Sequence, residues 1–300
     1  MFRALRLDRA VYLRPEPRLS RALSPPEIAL CAQAACLLEV AAPKPGNVSR
    51  YHDFGDTSFE DFLLSAVVVG AALSAAGGAG VGETVVRAVQ DTRRWVGVNT
   101  NLGIILLLAP LARAAAGEAA PLRRRLSRVL ATLTVADAQA VYSAIRLADP
   151  GGLGQVEAQD VREEPTVTLR EAMALAAERD TIAREYVTDY DVTFGVAVPA
   201  LQRVRACGLG WPAAALESYL RVLAEVPDTL IARKRGPAVA RAVSERAREV
   251  LGAGEPGSPE RARAADAFDS ELRGDANRLN PGTTADLMAA ALFVALSEER

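Results

Sequence analysis

The sequence predicts an all-α protein, a single-domain multi-helix bundle whose inter-helix loops carry the chemistry. Three observations lead there. Half of the 300 residues are hydrophobic but only 5% are aromatic, so the core must be built from Ala, Leu and Val. That suits close-packed helices better than strands, which draw on aromatic and β-branched side chains. Apolar residues recur at helical spacing along most of the chain, and no alternating strand of useful length interrupts them.

The elements follow in order. Ser24 before Pro25 and Pro26 marks a helix start, with Ile28, Cys31, Ala35 and Leu38 on one face. The helix stops at Pro43-Lys44-Pro45-Gly46, where proline removes donors and disfavours helix in the residue before it. Thr57-x-x-Glu60 reads as a capping box for a second helix, whose stripe of Phe59, Phe62, Leu63, Ala66, Val67 and Gly70 ends at Gly77-Gly78. Further helices are expected over residues 82–95, 101–116, 121–133 and 135–148, followed by a polar loop over 149–166. Thr168-x-x-Glu171 is another capping box, and Trp211-Pro212 and Ser258-Pro259 open later helices. Thr283-x-x-Asp286 is read as the cap of the last helix, which runs to about Leu296. Residues 1–23 form a loosely ordered extension, and 24–300 form one helical domain. No repeat divides the chain.

Composition excludes several classes. A formal charge of −2 argues against a general nucleic-acid binder. Cys31, Cys36 and Cys207 are too few and too scattered for a disulfide framework or a CxxC zinc pair, which fits a reducing cytoplasm. The apolar runs at 63–76 and 102–116 fall short of the ~20 residues a bilayer requires or are broken by Pro110 and Arg113. No membrane role is therefore expected. A leftover apolar helix face would suit a homodimer.

Lys and Asn are scarce in this Ala- and Arg-rich chain: Lys44 and Lys234, and Asn47, Asn99, Asn101, Asn277 and Asn280. All lie in loops marked by Gly or Pro, and five loops stand out. In the first, residues 43–53, Gly46 would let backbone approach a ligand, Lys44 and Arg50 could hold phosphates, and Asp53 and Asp56 could bind Mg²⁺ or act as a base. The second, Asn99-Thr100-Asn101 before Gly103, opens a helix, where backbone N–H groups favour anions. The third pairs Asp189 and Asp191, and the fourth joins Asp228 to Arg233-Lys234-Arg235-Gly236. The fifth is Asn280-Pro281-Gly282-Thr283, leading to Asp286, which would cap the helix or ligate a metal.

Taken in order, Pro43-Lys44-Pro45-Gly46, Gly97-Val98-Asn99-Thr100 with Gly103, Asp228-Thr229 with Arg235-Gly236, and Pro281-Gly282 with Ala285-Asp286-Leu287 resemble the triphosphoribosyl-dephospho-CoA synthases. The resemblance spans roughly 39–293. It implies an all-helical enzyme that releases adenine from ATP and links the 5-triphosphoribosyl group to the 2′-hydroxyl of 3′-dephospho-CoA, with Mg²⁺ as cofactor. It further implies small-molecule substrates and phosphate contacts from Lys44, Arg50, Arg233 and Lys234. Gly46, Asn47, Asn99, Thr100, Asn101, Gly282 and Thr283 would complete the nucleotide site. Among the carboxylates, Asp53, Asp56, Asp189 and Asp191 are expected to be catalytic, and Asp228 and Asp286 to bind metal.

The chain departs from the family pattern at Asn47-Val48-Ser49 and at Asn101-Leu102, where a His and a Lys are missing. The Pro-Lys-Pro-Gly-Asn form looks like a branch associated with methanopterin-type cofactors, so ribosyl transfer to such a precursor is an alternative. An all-α, Mg²⁺-dependent ADP-ribosyl-type hydrolase, with water as acceptor, is another. A helical binding protein that releases no adenine is a third.

Overall fold

The computed structural model describes residues 21–150, 158–274 and 277–299. Of the expected N-terminal extension, residues 1–20 lie outside the described residues. Leu23 is already in the core, its N–H donating to the Ala115 carbonyl at 2.9 Å. Among the described residues the elements are helical: α1 (Pro25–Ala41), α2 (Phe59–Ser74), α3 (Val81–Trp95), α4 (Leu102–Ala115), α5 (Leu122–Ala131), α6 (Val135–Ala148), α7 (Leu169–Ala176), α8 (Thr181–Thr188), a π-helical turn (Thr193–Ala197), α9 (Val198–Ala206), α10 (Trp211–Glu225), α11 (Thr229–Arg235), α12 (Pro237–Gly252), α13 (Pro259–Arg273) and α14 (Gly282–Glu298). The only extended pairing among them is an isolated bridge between Ser49 and His52. None of these helices is long and apolar enough to cross a membrane.

Two helices are apolar on every face, the pattern of a buried element. The stretch of α14 from Leu287 to Ala295 is wholly buried, and the helix is packed by α1, α4, α9, α10 and the π turn. In α4, Leu102 and the run from Ile104 to Ala112 are buried as well.

Pro110 sits inside α4 and has no N–H, so the Leu106 carbonyl loses its helical donor. A buried carbonyl needs a partner. Tyr186 of α8 supplies it, its hydroxyl donating to Leu106 O at 2.6 Å, and Tyr190 adds a second bond beside it, to Leu107 O at 3.0 Å. To bring both phenols to α4 the chain turns through two left-handed residues, Asp189 (φ 53°) and Tyr190 (φ 60°), a conformation that costs a non-glycine residue energy. Polar side chains hold this corner. Ser127 donates to Asp189 Oδ2 and Arg170 to its Oδ1, while Arg123 pairs with Asp191 at 3.5 Å. Beneath it the buried Glu185 accepts from the N–H groups of Val192 and Thr193 and from the Thr193 hydroxyl.

The structure moves two helix starts. The second helix is capped by Ser58 with Asp61, one residue after the expected Thr57-Glu60 box. The last begins at Gly282, so Thr283 and Asp286 lie inside it and do not cap it. The expected box at Thr168 forms with both reciprocal hydrogen bonds, and Thr134 with Asp137 closes a further one at the start of α6.

Replacing Tyr186 by Phe leaves the Leu106 carbonyl unsatisfied in the core, with an expected cost of about 1–3 kcal/mol. Urea unfolding measures it, and a stability equal to that of the parent chain contradicts this account of Pro110.

Candidate functional site

The loops at one end of the bundle enclose a cleft of about 1590 Å³. The first turns of α4, α8 and α14 open into it, through Asn101–Gly103, Thr181–Ile182 and Gly282–Thr283. Each helix start carries the positive end of a helix dipole, so their convergence favours an anion even where protein groups cap the first N–H groups. Arg184, Arg233, Lys234 and Arg241 add cationic side chains to the lining. The starts of α8, α11 and α14 are tied together by threonines: Thr229 Oγ1 accepts from Thr181 N–H at 3.3 Å and donates to Thr283 Oγ1 at 3.2 Å.

Four carboxylates lie around these helix starts, and three are compensated. Glu39, buried at the end of α1, pairs with Lys44 at 2.9 Å, and the Lys44 ammonium also donates to the Glu39 carbonyl at 2.5 Å. Burial works against both charges, raising Glu39 and lowering Lys44, and their mutual attraction opposes it. Asp180 caps α8 through Oδ1 and pairs with Arg233 through Oδ2 at 3.3 Å. Asp228 is saturated. Its Oδ1 accepts from Leu230 and Ile231 N–H, and its Oδ2 from Thr284 N–H and hydroxyl, both at 2.8 Å. Asp228 therefore joins α11 to α14 and does not line the cleft.

The fourth, Asp286, lines the cleft and among the described residues accepts no hydrogen bond and makes no ion pair. Burial first, then the charges of Glu39, Asp228 and Asp180, push its carboxyl well above the usual range, opposed by Arg233. Gly103 makes room for it: a Cβ there would lie 2.0 Å from Asp286 Oδ2. The glycine in the Asn101-Leu102-Gly103 turn is thus explained by the side chain packed on it.

Loop 43–53 is built differently from its expected role. Lys44 is in the core and outside the cleft lining, because Glu39 is its partner. Gly46, at φ +76°, approaches protein and not ligand, since a Cβ there would meet Leu272 and Pro281 at about 3 Å. Its N–H donates to Asp269 Oδ1 at 2.7 Å. Asn47 does reach the cleft. Arg50 stacks over Tyr51 at the surface, and Asp53 accepts from Phe59 N–H at the start of α2, so neither lines the cleft. Asp56 lines the cleft.

Of the remaining expected residues, Asn99, Thr100, Asn101, Arg233, Lys234, Gly282 and Thr283 all line the cleft. Asn99 Oδ1 accepts from Leu102 N–H at 3.2 Å, Thr100 meets Ser65 at 2.5 Å, and Asn101 donates to Thr92 at 3.3 Å. Asp189 and Asp191, read as catalytic, belong to the corner described above and lie outside the cleft. Sequence reading assigned no role to Asp180, whose signal is the cap pattern Asp180-Thr181-Ile182, or to Arg184 and Arg241. These carry no motif, because their place in the cleft depends on tertiary packing.

No group of three or more His, Cys, Asp or Glu side chains able to hold a metal occurs among the described residues. Asp228 has no lone pair left for one. The donor set fits Mg²⁺ that arrives on a polyphosphate and keeps substrate oxygens and water as most of its ligands.

A family model for ATP:dephospho-CoA triphosphoribosyl transferase matches residues 25–300. A protein of Pseudomonas syringae pv. syringae (strain B728a), assigned as 2-(5''-triphosphoribosyl)-3'-dephosphocoenzyme-A synthase, is 38% identical over 98 residues. The enzyme of that name from Klebsiella pneumoniae is 34% identical over 99 residues. The matched stretches cover about a third of this chain and of each relative. The crystal structure of an Archaeoglobus fulgidus protein assigned as a triphosphoribosyl-dephospho-CoA synthase superposes with a TM-score of 0.61 at 28% identity, covering 79% of this chain and 98% of that one.

A carboxyl whose pKa is raised by folding adds stability below its unfolded value, about 3.9, and that stability is lost as pH rises through the folded value. In metal-free buffer, Asp286→Asn should therefore raise Tm relative to the parent chain, by a margin that grows from about pH 4 upward and reaches a few degrees (about 2–4 °C per kcal/mol). A margin independent of pH contradicts the assignment.

Proposed function

The chain belongs to the ATP:dephospho-CoA triphosphoribosyl transferase family, and from that premise we propose that it moves the 5-triphosphoribosyl group of ATP onto a hydroxyl of 3′-dephospho-CoA, releasing adenine. The observation that carries this reading is Asp286, an uncompensated carboxylate beside three converging helix N-termini and a set of arginines and lysine. A triphosphate suits the helix starts together with Arg233 and Lys234. The cleft is larger than the roughly 300–1,000 Å³ typical of a single small ligand, which leaves space for donor and acceptor together.

In the transfer the bond from the ribose anomeric carbon to adenine breaks and a bond to the acceptor oxygen forms, while the hydroxyl proton leaves and adenine gains one. Positive charge develops on the ribosyl group as adenine departs. A carboxyl already in place and lacking a partner stabilises that charge once it is ionised, with little reorganisation of its position. Asp286 takes this role, with Glu39 held behind it by Lys44. Asn99, Thr100 and Asn101 fix the turn over which Asp286 packs. When Mg²⁺ is bound, Asp286 is the residue open to it, and the ion would neutralise triphosphate charge.

The test is adenine release from ATP and Mg²⁺ with and without 3′-dephospho-CoA, with the product weighed by mass spectrometry. The expected result is release that depends on the acceptor and a triphosphoribosylated product. Release without the acceptor would mean hydrolysis, and no release with any hydroxyl acceptor would contradict transfer. Asp286→Asn should lower kcat/KM by about 10²-fold or more. Gly103→Ala, which displaces Asp286, should do likewise in a chain that still folds.

A further inference from the structure

The side chain of Asn47 is oriented by a hydrogen-bond chain that admits one solution. Tyr219 of α10 is fully buried, and its hydroxyl lies 2.6 Å from the Pro45 carbonyl and 2.8 Å from the Asn47 amide. A carbonyl only accepts, so the phenol proton goes to Pro45 O. The phenol oxygen is then left to accept, and the group facing it has to be the Asn47 NH₂, which also lies 3.5 Å from Pro45 O. Both amide donors thus point toward protein partners.

What Asn47 has left is Oδ1, which takes no hydrogen bond among the described residues, on a residue that lines the cleft. The backbone is held as firmly. Asn47 N–H donates to Lys44 O at 3.2 Å, and Asn47 O accepts from Arg273 at 2.5 Å. A lone acceptor with no freedom to turn is a discriminating contact, because it rewards a ligand N–H or O–H and repels a ligand carbonyl. Val48, Phe54 and Phe62 line the same cleft, apolar surfaces suited to the face of a base.

We propose that Asn47 Oδ1 reads the 6-amino group of an adenine, and that Tyr219 is the positioning residue that keeps the acceptor turned outward. This rests on the proposed use of adenine nucleotides. ATP and 3′-dephospho-CoA both carry that amine, and the experiment separates them.

Equilibrium binding is measured for ATP against inosine triphosphate, and for dephospho-CoA against its deaminated hypoxanthine analogue, in the parent chain and three variants. In each analogue a carbonyl replaces the amine, so it would face Oδ1 acceptor to acceptor. The parent chain should prefer the amine in one of the two pairs by about 30-fold or more, the scale of an unpaired buried acceptor. The pair that shows the preference identifies the ligand. Tyr219→Phe frees the amide to turn and offer its NH₂ to the carbonyl, so the preference should fall to within about threefold. Asn47→Ala should abolish it. Asn47→Asp presents an acceptor whichever way it turns and should keep it, so the proposal stays testable if Tyr219→Phe fails to fold.

Equal binding within both pairs overturns the proposal. So does an unchanged preference in folded Tyr219→Phe, or loss of preference in Asn47→Asp. A purely structural Tyr219 would weaken both members of a pair alike and leave the ratio intact. Discrimination without any adenine release would overturn the proposed transfer while supporting this inference, and failure to bind any of the four ligands overturns both.

Discussion

Glu39, Asp180, Asp228 and Asp286 crowd the starts of α8, α11 and α14, and the compensation of the first three determines what the fourth can do. Lys44 neutralises Glu39, Arg233 and two N–H groups serve Asp180, and four donors saturate Asp228. Asp286 receives their repulsion and no partner. Folding leaves it short of positive charge, and a cationic ligand or transition state relieves that shortage. A destabilised group retained in a well-packed helix is the pattern expected of a working site.

The rest of the fold keeps this arrangement rigid. Because α14 is apolar on all sides below its first turn, it is locked in the middle of the bundle, and Asp286 moves only if the core moves. The α4 turn against it is fixed by Gly103 and by the asparagines and threonine before it. Tyr186 and Tyr190 then hold α4 where Pro110 weakens it. Arg261 of α13 forms a buried ion pair with Glu217 of α10. Through Asp269 and Arg273, α13 carries loop 43–53 and sets Asn47 at the cleft.

Much of this was legible from residues alone, for reasons that are local. Helical spacing and reciprocal caps are read over three or four residues, so the box at Thr168 and the all-helical class could be seen directly. The scarcity of Lys and Asn pointed to loops that do gather at one end. Pairing was not legible. Lys44 looks like a phosphate ligand until Glu39 is found beside it, and Asp189 and Asp191 look catalytic until Ser127, Arg170 and Arg123 are seen to hold them. Gly46 announces a close approach without saying to what. Thr57 and Ser58 are adjacent, each followed three residues later by an acid, and only the observed chain path selects Ser58. Tyr219 carries no motif at all, being one buried phenol among several.

The site depends on the state of one carboxyl group, Asp286, and that state is directly observable. Carbon-13 NMR of aspartate-labelled protein in metal-free buffer, compared with Asp286→Asn to assign the resonance, follows its titration. The account predicts a midpoint well above the ordinary carboxylate value of about 3.9, moving down when Mg²⁺ and ATP are added. A carboxyl that titrates in the ordinary range, with or without the nucleotide, would contradict it.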